Sequence, residues 1–310
     1  MPSVLCVGET MVQVTPTRGG RISTDTDFRL VAGGAESNVA SMLAKLGVHS
    51  AWVGALGSDP FGDIILSSLQ QDGVDTSFVK VVDAKKTAVY FKDVLPDSTK
   101  VFYYRESSAM SFAGPELLDS ARSQTWDIIH MSGITPALSS SCESLTREVI
   151  AGKGLGSALK SFDINYRPSL WTEGKAAPLL QEIANQCDIV FVGLDEAAEL
   201  WGAQSVKDVR EVLPDPGWLV VKDSENLATE LNAKGTFAKP ATGGDIVEKV
   251  GAGDAFAAGW LAGFLDDQSA DTRLQMGHIM AAQVLKSYSD TANPPSPSGL
   301  ARALGSEISQ

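Results

Sequence analysis

The chain has 310 residues, 44% hydrophobic and 20% charged, enough apolar material for one large α/β core or two small ones. A formal charge of −13 with no compensating basic run excludes nucleic acid and anionic membranes as partners, so an anionic ligand must be held by a few local cations. Met1 leads within a few residues into a strand-like run without a basic, long apolar or small-residue cleavage pattern, which makes a cytoplasmic location the default expectation. Cys6, Cys142 and Cys187 are odd in number and widely spaced, and His49, His130 and His278 lack metal-ligand spacing; neither disulfides, zinc nor thiol chemistry is expected.

In chain order, a strand is expected at Val4–Val7, a hairpin-like stretch with an Arg18-Gly19-Gly20 turn at Thr10–Leu30, a helix at Gly34–Leu46, a strand at Ser50–Gly54 and a helix at Phe61–Asp72. A second hairpin follows at Thr87–Arg105, turning at Pro96-Asp97-Ser98. Then come strands Ile128–Met131, Leu159–Asp163, Ile189–Val192 and Trp218–Lys222, interleaved with helices Ser140–Ile150, Ala176–Gln186 and Glu196–Trp201. Helices Gly253–Leu265 and Thr272–Tyr288 follow, with a Pro-rich loop, Asn293-Pro294-Pro295-Ser296-Pro297, before a short C-terminal helix. The alternation predicts an α/β fold with a doubly wound, mainly parallel sheet whose sites lie at the C-terminal strand ends. The chain reads as a single domain over 1–310, with a small β-sheet lid from about 10–32 and 87–106 that excludes water from the site. An exposed lid face favours a homodimer or higher homo-oligomer.

Two motifs carry chemistry. Gly251-Ala252-Gly253-Asp254 opens a helix: its unpaired N–H groups form an anion site, and glycines let backbone approach a phosphate. A carboxylate in that place makes sense as a base taking a proton from a hydroxyl that attacks phosphorus, the chemistry of a kinase; otherwise Asp254 merely caps the helix. Gly33-Gly34 before a helix bearing Asn38 either admits sugar hydroxyls or forms a tight strand-to-helix turn.

Together with the Gly57-Ser58-Asp59-Pro60-Phe61-Gly62 turn, these motifs resemble the ribokinase (PfkB) family of carbohydrate kinases over nearly the whole chain. Gly33–Ala40 and Asp163-Ile164-Asn165-Tyr166-Arg167-Pro168-Ser169-Leu170-Trp171 are most similar to its 2-keto-3-deoxygluconate kinases. The resemblance implies a three-layer α/β/α sandwich, ATP with Mg²⁺ as donor, and a sugar acid phosphorylated on its terminal 6-hydroxyl. It puts the catalytic base on Asp254 and the anion hole on Gly251, Ala252 and Gly253. The acceptor falls to Gly33, Gly34, Asn38, Tyr90, Tyr103, Arg105, Arg167 and Asp290, and the nucleotide side to Asn165, Lys222 and Ser224 with Gly251 and Gly253. Arg105 and Arg167 suit a carboxylate because guanidinium binds it bidentately. Of Tyr103 and Tyr104, neighbours on a strand, only one can face the ligand, and Tyr103 is chosen.

Two departures stand out. The family's Asn-x-x-Glu after the Ile189–Val192 strand reads Gly193-Leu194-Asp195-Glu196-Ala197-Ala198-Glu199, so that the asparagine and, on the register chosen, the glutamate are taken as missing; Asp195, Glu196 or Glu199 either substitutes or simply forms the acidic first turn of a helix, and the metal is left unassigned. The Gly-x-x-Gly turn after Lys222 reads Ser224-Glu225-Asn226-Leu227, which demands another loop shape. A fructokinase-like neutral-sugar kinase and a non-catalytic sugar-acid binding protein are the competing expectations.

Overall fold

The computed structural model describes residues 2–95, 98–224, 226–241, 243 and 246–305. The Pro96-Asp97 turn signal and Glu225 lie outside the described residues. The chain begins with β1 (Ser3–Val7), β2 (Met11–Pro16), β3 (Phe28–Gly33) and α1 (Ala35–Lys45). It continues through β4 (His49–Val53), β5 (Ala55–Gly57), α2 (Pro60–Gln71), β6 (Lys80–Val82), β7 (Val89–Leu95) and β8 (Ser98–Tyr104). The middle comprises β9 (Ile128–Ser132), α3 (Ile134–Leu138), α4 (Ser140–Ile150), β10 (Leu159–Asp163), α5 (Ala176–Ala184), β11 (Ile189–Gly193), α6 (Leu194–Trp201) and α7 (Val206–Val212). The last part holds β12 (Trp218–Asp223), β13 (Leu227–Asn232), β14 (Gly235–Pro240), α8 (Ala252–Leu265), α9 (Ala270–Val284) and α10 (Pro297–Ala303).

The main sheet runs β14-β13-β12-β11-β10-β9-β1-β4. Its six strands from β12 to β4 are parallel, as six strand–helix alternations require, and β13 and β14 close one edge antiparallel. A continuous apolar run such as Ile189-Val190-Phe191-Val192 is needed because both faces are covered: Val190 and Val192 join the core under α4 and α5, Ile189 and Phe191 the core under α1 and α8. The chain winds from β1 to β4 on one side and to β9 on the other, so the winding reverses at β1/β9 and opens a crevice at the C-terminal strand ends.

The two hairpins join into a second sheet, β3-β2-β7-β8, as the lid expectation required. Gln13, Tyr90 and Tyr103 are cross-strand partners and form one row facing the main domain. The opposite face leaves Phe28, Leu30, Phe102 and Tyr104 exposed.

The β13–β14 edge and the helix α7 had not been expected. Leu-Ala-Thr-Glu-Leu-Asn hides its strand character because Glu230 is fully buried in mid-strand, where it pairs with Arg273 of α9 and accepts the indole N–H of Trp260 (2.9 Å). The α9 helix stops at Val284, short of Tyr288, and the Leu285 carbonyl accepts the Val247 N–H instead (2.7 Å). Since a buried carboxylate that loses its cation stays uncompensated, Arg273→Leu should cost about 3–5 kcal/mol in urea unfolding. Adding Glu230→Leu should recover most of the loss; an undiminished loss would contradict the ion-pair account.

Candidate active site

The N-terminus of α8 is built on a constraint at Gly251, which takes φ 86° as the N-cap. A Cβ there would lie 2.4 Å from the Asp290 carbonyl oxygen, so both dihedral and space call for glycine. The first-turn N–H groups that follow have no partner four residues back inside the helix, and they open onto a cavity of about 700 Å³ between the main sheet and the lid. Asp254 stands in this first turn, half-buried, with its Oδ2 accepting the Asn38 Nδ2–H at 2.8 Å. Burial pushes its carboxyl up to about 7; the Asn38 hydrogen bond opposes that rise, and the nearby carboxylates of Asp163 and Asp290 add to it. Asp254 is thus poised to exchange a proton near neutrality.

On the sheet side, Asp163 ends β10 and accepts from Lys222 Nζ of β12 at 2.8 Å. Burial alone would lower the lysine, but Asp163 and Glu196 outweigh it and keep its charge. Asn165 holds a positive φ of 40°, and its Oδ1 is buried without a partner. Ser224 takes φ 42° in the hairpin turn, so Leu227 is free to start β13 extended; the loop therefore does take another shape without strain at Leu227.

Glu196 corrects the sequence reading. Counted from Gly193, the fourth position of Asn-x-x-Glu is Glu196, so only the asparagine is replaced. Its Oε2 accepts the Gly193 N–H (2.8 Å) and its Oε1 the Tyr166 N–H (2.9 Å), while burial and Asp163 raise its pKa.

On the lid side, the Tyr90 hydroxyl donates to Asp290 Oδ2 (2.6 Å) and lies 2.9 Å from Gln13 Oε1. Tyr103 lines the cavity beside Tyr90 with ring centroids 5.8 Å apart, whereas Tyr104 points outward. Gly33 leaves room for the Tyr90 hydroxyl and Gly34 for the Glu9 backbone, so the pair serves close packing even as it lines the cavity. One edge of the Arg105 guanidinium, Nε and Nη2, is held by Glu9 Oε2 at 2.8 and 2.5 Å. Arg167 Nη1 donates to the Tyr166 carbonyl (3.0 Å), and its side chain is about half exposed.

Every residue expected in the site, from Gly33 to Asp290, therefore borders this one cavity. Missed from sequence were Gln13, Glu9, which fixes Arg105, and Lys92, which donates to Asp290 (2.6 Å). The period-two pattern of a strand would have placed Lys92 on the same face as Tyr90.

Between the usual aspartate value and about 7, the folded protein holds a proton on Asp254 that the unfolded chain releases, so this group contributes stability at low pH that is lost as pH rises through about 7. Asp254→Asn removes the charge. Its melting temperature should exceed wild type by more at pH 8 than at pH 5, and an advantage that is flat with pH would contradict a desolvated carboxylate.

The profile described as pfkB family carbohydrate kinase matches residues 1–297. Among curated relatives, the 2-dehydro-3-deoxygluconokinase of Bacillus subtilis is 29% identical, over 97% of this chain and 94% of that protein. The 2-dehydro-3-deoxygalactonokinase of Haloferax volcanii is 28% identical, over 92% and 91%. The crystal structure of a PfkB protein from Polaromonas sp. has a TM-score of 0.84 at 28% identity, covering 93% of this chain and 97% of that one. A fructokinase from Xylella fastidiosa with bound ATP shares the fold, with a TM-score of 0.84 at 24% identity over 98% of both chains. With a glycine-capped helix N-terminus, its carboxylate and the lid in place, the match over nearly its whole length shows that this chain belongs to the pfkB family of carbohydrate kinases.

Proposed function

We propose that the enzyme transfers the γ-phosphoryl group of ATP to the 6-hydroxyl of a 2-keto-3-deoxy sugar acid, 2-keto-3-deoxygluconate being the leading acceptor. The observation that carries this reading is the meeting, in one cavity, of a helix N-terminus bearing a carboxyl of pKa about 7 with two arginines, Arg105 and Arg167. Named relatives that phosphorylate such acids support it.

The residues present suit ATP with Mg²⁺. The unpartnered Asn165 Oδ1 with Asp163 and Glu196 offers hard oxygen donors, while no cluster of three or more acidic, His or Cys ligands forms among the described residues. That set fits an ion which arrives on phosphates and keeps most of its waters; when bound, Mg²⁺ neutralises phosphate charge. Lys222 Nζ lies 3.5 Å from where a Gly253 Cβ would sit, which keeps a cation beside the α8 N-terminus.

Asp254 takes the acceptor proton as the hydroxyl oxygen bonds to the γ-phosphorus and the bond to the departing ADP oxygen breaks. The α8 N–H groups stabilise charge on the transferring phosphoryl oxygens, and Asn38 keeps the carboxylate oriented. Arg105, held by Glu9, and the freer Arg167 orient the acceptor carboxylate.

ADP release with Mg·ATP and 2-keto-3-deoxygluconate, its galactonate epimer, fructose and ribose tests this. Asp254→Asn should lower kcat by about 10²–10⁴-fold with little change in KM; a loss under tenfold would remove the base assignment. Arg105→Gln and Arg167→Gln should raise KM for the acids about tenfold or more and leave fructose unchanged, in keeping with loss of a charge-assisted pair. The pairing of Arg105 with Glu9 favours one rival, a neutral-sugar kinase, and faster turnover of fructose than of either acid would establish it.

The lid face bearing Phe28, Leu30, Phe102 and Tyr104 is proposed to pair with the same face of a second copy. Light scattering of the purified protein should give a dimer or a higher multiple, and Leu30→Asp with Phe102→Asp should give a monomer; a monomeric wild type would refute the pairing.

A further inference from the structure

Lys92 is a lysine with no exposed surface, on β7 of the lid, and a buried ammonium must be matched by negative charge. Its Nζ lies 2.6 Å from Asp290 Oδ1 and 4.0 Å from Glu248 Oε2. Each of these carboxylates braces one side of the loop that enters α8. Glu248 Oε1 accepts the N–H groups of Lys249 (2.8 Å) and Val250 (3.3 Å), and its Oε2 accepts the Thr99 hydroxyl of β8 (2.8 Å). The Asp290 backbone packs against Gly251, leaving no space for a Cβ, while its Oδ2 is held by Tyr90. Without the ammonium, two buried carboxylates on adjoining loops would repel one another across the entrance to the helix.

We infer that Lys92 is a positioning residue for phosphoryl transfer: its ammonium ties the lid to the 248–251 and 290 loops and holds the α8 N–H groups where the transferring phosphoryl oxygens arrive. The inference rests on the reading of Gly251–Asp254 as the transfer site. Lys92 touches neither substrate; it acts through Glu248, Asp290 and the loop they brace. A misplaced anion hole weakens interactions that matter most in the transition state, so the effect falls on kcat rather than on binding.

The test is steady-state kinetics of Lys92→Ala and Lys92→Arg with Mg·ATP and the best acceptor, Asp254→Asn being run beside them. Lys92→Ala should lose about 10²-fold in kcat, the size of a lost oxyanion donor, with both KM values within threefold; Lys92→Arg should retain more. Ethylammonium chloride, against equal sodium chloride, should restore part of kcat in Lys92→Ala and none in Asp254→Asn. A folded Lys92→Ala with kcat within threefold of wild type, a loss confined to KM, or a loss that ethylammonium leaves unmoved overturns the role. Where Lys92→Ala does not fold, Lys92→Ala with Glu248→Gln, which removes one uncompensated carboxylate, is judged by the same kcat criterion. An active Asp254→Asn overturns the transfer site and this role with it, whereas an inactive one beside a fully active Lys92→Ala overturns the role alone.

Discussion

A carboxylate in the first turn of α8 is attracted by the helix dipole and penalised by burial, and the pKa of about 7 at Asp254 shows that burial prevails. Much of the site can be understood as support for that unfavourable placement. Asn38 donates to the carboxylate from α1, which ties the first helix to the eighth across the crevice. Gly251 turns the chain into the helix at a dihedral that other residues resist, and Asp290 closes the space behind it. The desolvation that raises the Asp254 carboxyl, and that suits it to the proposed role of base near neutral pH, is therefore the same term that lowers stability there.

The fold places these groups by topology. Strand ends β1, β9, β10, β11 and β12 all deliver their C-terminal residues to one edge of the sheet, so Asp163, Gly193 and Lys222 meet although they are far apart in sequence. The lid comes from two segments separated by α1, β4, β5, α2 and β6, and only their pairing puts Gln13, Tyr90 and Tyr103 in one row. Thr99 and Lys92 then reach from the lid to the loops beside α8, so the sheet that covers the cavity is joined to the helix proposed to bind phosphate.

The parallel core was legible because its strands are apolar runs and its helices have periodic faces; Ser140–Ile150 begins and ends where expected. The two hairpins were legible from alternation and turn residues. The β13–β14 edge was not, because Glu230 interrupts its apolar pattern and is explained only by Arg273 and Trp260, distant in sequence. Within the site, motif residues with local reasons, Gly251 and Asp254 above all, were readable. Glu9 and Lys92 were not, and Glu196 was only one of three acidic candidates: a carboxylate or lysine in a loop, in a strand or at a helix start looks solvated until its partner across the fold is known. Glu196 was hidden further by register, since the asparagine that would have marked its motif is Gly193.

Three cations around the crevice are held by carboxylates of the same protein: Lys222 by Asp163, Arg105 by Glu9 and Lys92 by Asp290. In a chain of net charge −13, unpaired cations in a crevice would draw any small anion, and paired ones hold that attraction down until a ligand offers better geometry. The degree of pairing also differs in a way that matches position. Lys92 is sealed and can only brace, whereas Lys222 and Arg105 border the cavity. Arg105 has five N–H donors, of which Glu9 occupies one edge, so the carboxylate of the proposed acceptor can be met without breaking the pair. Recognition of an anion by this acidic protein thus depends less on surplus positive charge than on guanidinium and ammonium groups fixed in place by carboxylates behind them.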